Sequence, residues 1–347
     1  SSAYAGSSAP SPELNADGAA VVSFIGLSRE SMSSIDPGPR LDKAQDPPDY
    51  SCTNGCRRMT ASCGRLGMLH RPQSTAEALT LLATDSATII AGGTDIFPAH
   101  VDRPPPKRLV DISRLRDLRG VRREANTFRI GAATTWTDIA RADLPPSFDM
   151  LREAAREIGA VQIQNRATIG GNLCNASPAA DGVPPLLALD ATVELASPRG
   201  VRTMPLDAFL LGNRHTARAP DEIMTAVLIE DDHNDGRSTF LKLGARRHLV
   251  ISIVMVAALL DIGEDGMVKY ARIAVGAASV VGRRLRGLEA RLVGQTVGRA
   301  MNDIVSPDDF AELSPIDDLR ATAEYRREAA VELVRRALVQ LADARHG

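Results

Sequence analysis

Thr168-Ile169-Gly170-Gly171-Asn172-Leu173-Cys174-Asn175-Ala176-Ser177-Pro178-Ala179-Ala180-Asp181 is a run of small and hydrogen-bonding residues with paired glycines near its start. Such a density of Gly, Asn, Ser and Ala reads as a loop that wraps a ligand. One other Gly-Gly pair occurs, in Ile90-Ala91-Gly92-Gly93-Thr94-Asp95, directly after the strand-like Thr88-Ile89-Ile90. Glycine lets main-chain N–H groups approach phosphate oxygens with no Cβ in the way, and successive N–H groups in such a turn form an anion-binding concavity. Thr94 and Thr168 stand beside the two pairs as further donors. Either pair alone is equally a plain connection between strand and helix. Taken together, and with the polar run after Asn172, they read as two jaws of a diphosphate clamp.

Other cradles for a dinucleotide are missing. No two glycines are separated by a single residue, so the G-x-G-x-x-G fingerprint is absent, and so is the G-x-x-x-x-G-K-[ST] phosphate loop. The formal net charge of −2 gives no general attraction to nucleic acid, and 3% aromatic residues do not make a stacking platform for bases. No stretch approaches the ~18 apolar residues of a membrane span; Val250 to Leu260 comes nearest and Ser252 interrupts it. Four cysteines, Cys52, Cys56, Cys63 and Cys174, are too few for a disulfide scaffold, which points to a reducing cytoplasm. The Cys52-x3-Cys56-x6-Cys63 spacing fits neither zinc nor ferredoxin patterns, and the six histidines show no metal-ligand spacing. Cys174 reads as a small buried residue rather than a nucleophile.

At 347 residues, with 44% hydrophobic content, the chain has material for two or three domains. Residues 1–67 are rich in Ser, Pro, Gly, Asp and Ala without periodicity, the composition of a flexible leader. Ser74-Thr75-Ala76-Glu77 has capping-box spacing ahead of Ala78, Leu79 and Leu82, which predicts a helix. Thr88 to Ile90, Arg108 to Ile112, Thr127 to Ile130, Thr192 to Leu195 and Ile223 to Ile229 read as strands; Thr137 to Arg141 and the stripe Leu151, Ala154, Ala155, Ile158 read as helical. Asp231-Asp232-His233-Asn234-Asp235-Gly236 is the clearest polar break and sets a boundary at 235/236. Beyond it, Phe240 to Ala245, Val250 to Ile262 and Val268 to Val275 predict an antiparallel sheet turned at Glu264-Asp265-Gly266. Pro307 follows the capping residue Ser306, and Ala330, Leu333, Val334, Ala337, Leu338 and Leu341 recur at helical spacing. Arg320, Arg326, Arg327, Arg335 and Arg336 are expected on a solvated face.

Five segments together resemble the FAD-binding, or medium, subunit of the molybdenum hydroxylases, the group of xanthine dehydrogenase and aerobic carbon monoxide dehydrogenase. They are Ala91 to Asp95; Gln164-Asn165-Arg166-Ala167 with the run through Asp181; Phe240-Leu241-Lys242-Leu243-Gly244; Val250-Ile251-Ser252-Ile253; and Ser314-Pro315-Ile316 with Ala323-Glu324-Tyr325-Arg326-Arg327. The resemblance covers roughly Met68 to Ala344. It implies an α+β architecture: a two-lobed FAD-binding domain of the vanillyl-alcohol-oxidase type, 68–235, with lobes of about 68–122 and 123–235, then a C-terminal domain, 236–347, with a small antiparallel sheet and helices.

Carried over position by position, the resemblance implies that the diphosphate of FAD lies on Ala91, Gly92, Gly93, Thr94 and Asp95 and on Thr168, Ile169, Gly170, Gly171 and Asn172. Asn175, Ser177 and Asp181 would meet ribose, phosphate or adenine, and Ile223, Met224 and Lys242 would lie near the flavin ring. Ile158 stands where some members carry an aromatic that stacks on adenine. Read without the resemblance, Asp181 before Gly182 is a turn stabiliser and Lys242 a solvated strand-face charge. The implied task is to receive electrons from [2Fe–2S] clusters and pass them through FAD to NAD, a quinone or oxygen. The chain lacks a cluster domain and room for a molybdenum domain, so a molybdenum-cofactor large subunit and a [2Fe–2S] small subunit are the expected partners, in a heterotrimer that can pair. A self-contained FAD-dependent oxidase and a flavin-less assembly module are the alternatives.

Overall fold

A computed structural model describes residues 68–343 apart from 85–86, 103, 105, 233–234 and 299–300. The predicted leader, with Cys52, Cys56 and Cys63, lies outside the described residues, as do His233 and His346. What is described falls within one compact unit, Ser62–Gly347.

Three short strands, β1 (Met68–His70), β2 (Thr88–Ile90) and β3 (Arg108–Asp111), form a parallel sheet with β3 in the middle. The helix Thr75–Thr84 between β1 and β2 starts as its sequence predicts: Ser74 Oγ accepts the Glu77 N–H at 3.2 Å. The Glu77 carboxylate reaches one residue further back than a capping box requires and accepts the Gln73 N–H at 2.7 Å. Ala78 and Leu82 face Val110, Ile112, Leu115 and Leu118 in a small core that also takes in Ala133 and Ile223.

The next sheet is antiparallel throughout. Its members are β4 (Val121–Glu124), β5 (Thr127–Gly131), β6 (Thr192–Ser197), β7 (Gly200–Pro205) and, after a small hairpin of β8 (Leu210–Gly212) and β9 (His215–Thr216), β10 (Ile223–Glu230). Their order is β4-β5-β10-β6-β7. β4, β7, β8 and β9 are exposed or very short and carry no readable apolar alternation. The helices Trp136–Arg141, Asp149–Glu157 and Val183–Ala188 contribute Trp136, Ile139, Leu151, Ala154, Ala155, Leu186 and Leu187 to the large core against this sheet.

The third sheet, β11 (Arg237–Leu243), β12 (Val254–Ile262), β13 (Val268–Gly276) and β14 (Arg283–Arg284), runs antiparallel in sequence order. β12 is apolar on both faces because it separates two cores. Met255, Ala257 and Leu259 point into the large core, while Val254, Val256, Ala258 and Leu260 point to a core completed by the helix Ala323–Asp343. Successive strand residues face opposite ways, so the continuous apolar run is what a wall between two cores needs. That last helix buries Ala330, Leu333, Val334, Ala337, Leu338 and Leu341, the stripe read from the sequence.

Two expectations are corrected. The strand predicted from Val250 begins at Val254, because Leu249 takes a left-handed φ of 54° and Arg246 holds its carbonyl, which turns residues 244–253 out of the extended run. The arginines of the C-terminal region are also not one solvated face. Arg326 is 3% exposed, donating to the Ile253 carbonyl at 2.6 Å and to Asp318 at 2.7 Å, and Arg335 donates to the Val305 carbonyl. Among the described residues no helix is long and apolar enough to cross a membrane.

Candidate flavin site

The two glycine segments, distant in sequence, meet in space. A Cβ on Gly92 would stand 2.1 Å from the Arg166 carbonyl oxygen and 3.0 Å from the Ala167 Cα, so only a hydrogen fits between the two main chains. Gly93 has φ +75°, and a Cβ there would fall 2.7 Å from the Phe97 ring. A second tie joins the segments: Asn175 Nδ2 donates to Asp95 Oδ1 at 3.1 Å, and Asn175 Oδ1 accepts from Arg214 at 3.2 Å. Among the described residues no acceptor takes the N–H of Gly92, Gly93, Thr94 or Asp95. Four successive donors without a protein acceptor, in a turn entered from a strand end, are the groups an anion cradle needs.

The second segment differs from its sequence reading. Ile169–Asn175 is a helix, not a loop, and Thr168 caps it, its Oγ accepting the Gly171 N–H at 3.1 Å. The neighbouring N–H groups are engaged as well: Ile169 donates to the Thr134 carbonyl, Gly170 to Ala132 and Asn172 to Thr168. This jaw therefore offers no row of free N–H groups. Its glycines serve close approach instead. Gly170 is buried with Ala132 2.7 Å from where its Cβ would be, and Gly171 lies open, with only Thr168 Oγ near, at 2.9 Å. The helix stops at Ala176, which takes φ 46°. Cys174 packs against the large core, its thiol pushed up to about 11 by burial, which suits a structural residue.

Asn172 Oδ1 and Trp136 Nε1 are buried without hydrogen-bond partners among the described residues. Between them lies Gly182, whose Cβ would stand 2.4 Å from the Trp136 ring and 2.9 Å from Asn172 Oδ1. Ser177 is half-buried and its Oγ accepts the Ala179 N–H. Ile223 and Met224 are 1% and 3% exposed, the first in the small core and the second in the large one. Both side chains are committed to packing, so only main chain is left there to meet a ring.

Asp181 and Lys242 pair with each other. Lys242 is not a solvated strand-face charge: its ammonium is buried and sits 2.8 Å from Asp181 Oδ2. The other Asp181 oxygen accepts from Ser252 Oγ at 2.6 Å. Burial pushes the Asp181 carboxyl upward, and the Lys242 charge and the two hydrogen bonds offset this only in part. Arg166, Gly182 and Ser252, which the motifs contain or adjoin, and Arg214, from the β8–β9 turn, contact the candidate site residues without any local signal that assigns them, since these contacts come from neighbours remote in sequence.

An open turn with four free N–H donors, glycines that let two main chains touch and an orphaned buried amide oxygen fit a dinucleotide. The family comparisons agree. Residues 62–229 match the family described as FAD binding domain in molybdopterin dehydrogenase, and residues 239–341 match the CO dehydrogenase flavoprotein C-terminal domain. The chain is 33% identical over 264 residues to the nicotinate dehydrogenase FAD-subunit of Eubacterium barkeri, covering 75% of this chain and 89% of the relative. It is 31% identical to the carbon monoxide dehydrogenase medium chain of Hydrogenophaga pseudoflava over 277 residues, 78% of this chain and 94% of the relative. A solved carbon monoxide dehydrogenase from that organism superposes with a TM-score of 0.73 at 31% identity, covering 80% of this chain and 98% of the other. The chain belongs to the family of FAD-binding, medium subunits of the molybdenum hydroxylases, oxidoreductase subunits whose cofactor is FAD.

Proposed function

We propose that this chain carries FAD as an electron relay in a complex with a molybdenum-cofactor large subunit and a [2Fe–2S] small subunit, delivering electrons to NAD, a quinone or oxygen. The observation that carries the reading is the contact of the Ala91–Asp95 turn, with its free N–H groups, against the segment that leads into Gly170-Gly171. The turn would hold the diphosphate through Gly92, Gly93, Thr94 and Asp95. Gly171 would give the nucleotide an open approach on the helix that Thr168, Ile169 and Gly170 anchor, with Asn172, Asn175 and Ser177 as its polar contacts. Ile223, Met224 and Lys242 would border the ring. When bound, FAD takes up electrons singly and gives them up in pairs; the protein orients it and sets its surroundings. The division at 235/236, between a two-lobed flavin-binding part and a C-terminal part, belongs to the same proposal.

Co-expression of the full chain with a molybdenum-cofactor large subunit and a [2Fe–2S] small subunit tests it. One flavin per chain by absorption, and co-purification of the three, are expected. A flavin-free chain, or one that elutes without both partners, would overturn the reading.

A further inference from the structure

Arg326, in the first turn of the helix Ala323–Asp343, points inward, and its guanidinium spans the end of the β12–β13 ladder. Met255 on β12 stands opposite Gly276, the last residue of β13, so Ile253 and Ala277 lie just beyond the regular pairing. Both of their carbonyls accept from Arg326 Nη1, at 2.6 and 3.1 Å. Arg326 Nη2 donates to Asp318 Oδ1 at 2.7 Å, which gives the buried cation its counter-charge. The planar guanidinium presents these donors in a rigid fork, so it holds the two strand ends at a fixed separation.

The same two strand ends reach the flavin site. Ser252, the residue before Ile253, donates its hydroxyl to Asp181 Oδ1 at 2.6 Å. Ala277 donates its N–H to the Pro178 carbonyl at 3.1 Å. It does so at a left-handed φ of 60°, which a residue other than glycine keeps only where its surroundings hold it; here Arg326 grips its carbonyl and Pro178 its N–H. Pro178 follows Ser177, a polar contact in the flavin reading above, and Asp181 closes the same run. Ser177 to Asp181 is therefore clamped twice from the C-terminal sheet, and both clamps trace to one guanidinium.

We propose that Arg326 is a positioning residue of the flavin site: by stapling the ends of β12 and β13 it fixes the Ser177–Asp181 stretch and so sets how tightly the chain holds FAD, acting through Ile253 and Ala277 rather than on the nucleotide. This rests on the reading that FAD binds beside that stretch. The groups of a binding site must be held to within about 0.5 Å by the residues that support them. Without the guanidinium the Ile253 and Ala277 carbonyls turn toward other donors, and the Ser252 hydroxyl and the Ala277 N–H move with them. Lysine is a poor substitute, because one ammonium on a flexible stem does not serve two carbonyls and a carboxylate together.

The dissociation constant of FAD from the purified full chain is the readout, titrated at a temperature where circular dichroism shows each variant folded. Arg326→Met should weaken FAD roughly tenfold and Arg326→Lys roughly threefold, the range expected of residues that act on a site without touching its ligand. Leu338→Ala, which opens a cavity under the buried face of the same helix, is the control for mere destabilisation. It should lower the unfolding midpoint at least as much as Arg326→Met yet keep FAD within about twofold of the wild-type constant. In a Ser252→Ala background Arg326→Met should weaken FAD by a smaller factor than in the wild type, because one of its two paths is already cut. A wild-type constant in Arg326→Met overturns the proposal, as does one in Arg326→Lys where the methionine variant does not fold. Equal weakening in Leu338→Ala, or factors that simply multiply in the double variant, overturn it too. A wild-type chain that holds no FAD would instead defeat the underlying flavin reading, and its absorption spectrum tells the two failures apart.

Discussion

Gly92 rests against the carbonyl of Arg166 so closely that a methyl group at residue 92 would sit 2.1 Å from that oxygen. The contact fixes the spacing between the turn that carries free N–H groups and the segment that leads to the second glycine pair. Gly92→Ala must therefore move one main chain or the other, and neither can yield as a flexible side chain does. We expect a stability loss of about 1–3 kcal/mol, the usual range for forced overpacking, together with loss of flavin. Denaturant unfolding and the flavin to protein absorbance ratio check the two effects.

Gly171 provides the contrasting case. It is exposed, its Cβ position meets only Thr168 Oγ, and it sits in the first turn of a short helix. Gly171→Val should change stability by no more than about 1 kcal/mol, since leaving glycine helps the helix while the β-branch costs little. It should nevertheless abolish flavin retention by filling the approach to the helix. Wild-type flavin content in this variant would show that the open wall at Gly171 has no part in binding.

Arg326 should prove a stability residue rather than a surface charge. It ties the Ile253 and Ala277 carbonyls to Asp318, at 2.6, 3.1 and 2.7 Å. Removing this buried guanidinium leaves the Ile253 and Ala277 carbonyls without their donor, and a buried polar group left unsatisfied costs about 1–3 kcal/mol, so Arg326→Leu should lower the unfolding midpoint, whereas Arg327→Leu, at an exposed neighbour, should leave it within about 0.5 kcal/mol. Equal effects of the two would contradict the placement.

Two carboxyl groups predict opposite pH responses. Burial opposes ionisation of Asp318, but the Arg320 N–H and the Arg326 and Arg320 guanidinium groups outweigh it and hold this carboxyl well below the usual range. Its stabilisation is complete above the unfolded value and is lost as pH falls toward the folded one. Glu153 is shifted the other way: burial raises it against the Phe240 N–H, which it accepts at 2.6 Å, and the Thr239 hydroxyl. Its contribution is present below the unfolded value and lost as pH rises through the folded one. Thermal unfolding followed across the acid range should thus show Asp318→Asn flattening the loss of stability toward low pH. Glu153→Gln, which keeps an acceptor for Phe240, should flatten the loss toward neutrality.

Much of the fold is legible in residue order because the signals are local. The helix starting at Thr75, the strands at Thr88, Thr127 and Ile223, the turn at Glu264-Asp265-Gly266 and the apolar stripe of the last helix each follow from spacing and capping chemistry within a few residues. Exposed edge strands such as β7 escape, since pairing and not side-chain alternation holds them. Phosphate-type donors at Gly92 and Gly93 can likewise be anticipated from composition alone.

Tertiary structure decided the rest. Whether an N–H is free depends on which carbonyl lies opposite: Ala132 and Thr134 satisfy the second glycine segment, and among the described residues no acceptor satisfies the first. Whether Lys242 or Arg326 is solvated depends on Asp181 and Asp318 being folded against them, and the sequence around each reads as an ordinary surface charge. Backbone conformation is set largely by neighbours a few residues away, so the amino-acid order by itself determined most of the larger elements and the family, but not the edge strands or the helix Ile169–Asn175. Hydrogen-bond satisfaction and burial are properties of pairs remote along the chain, and only the packed molecule fixes them.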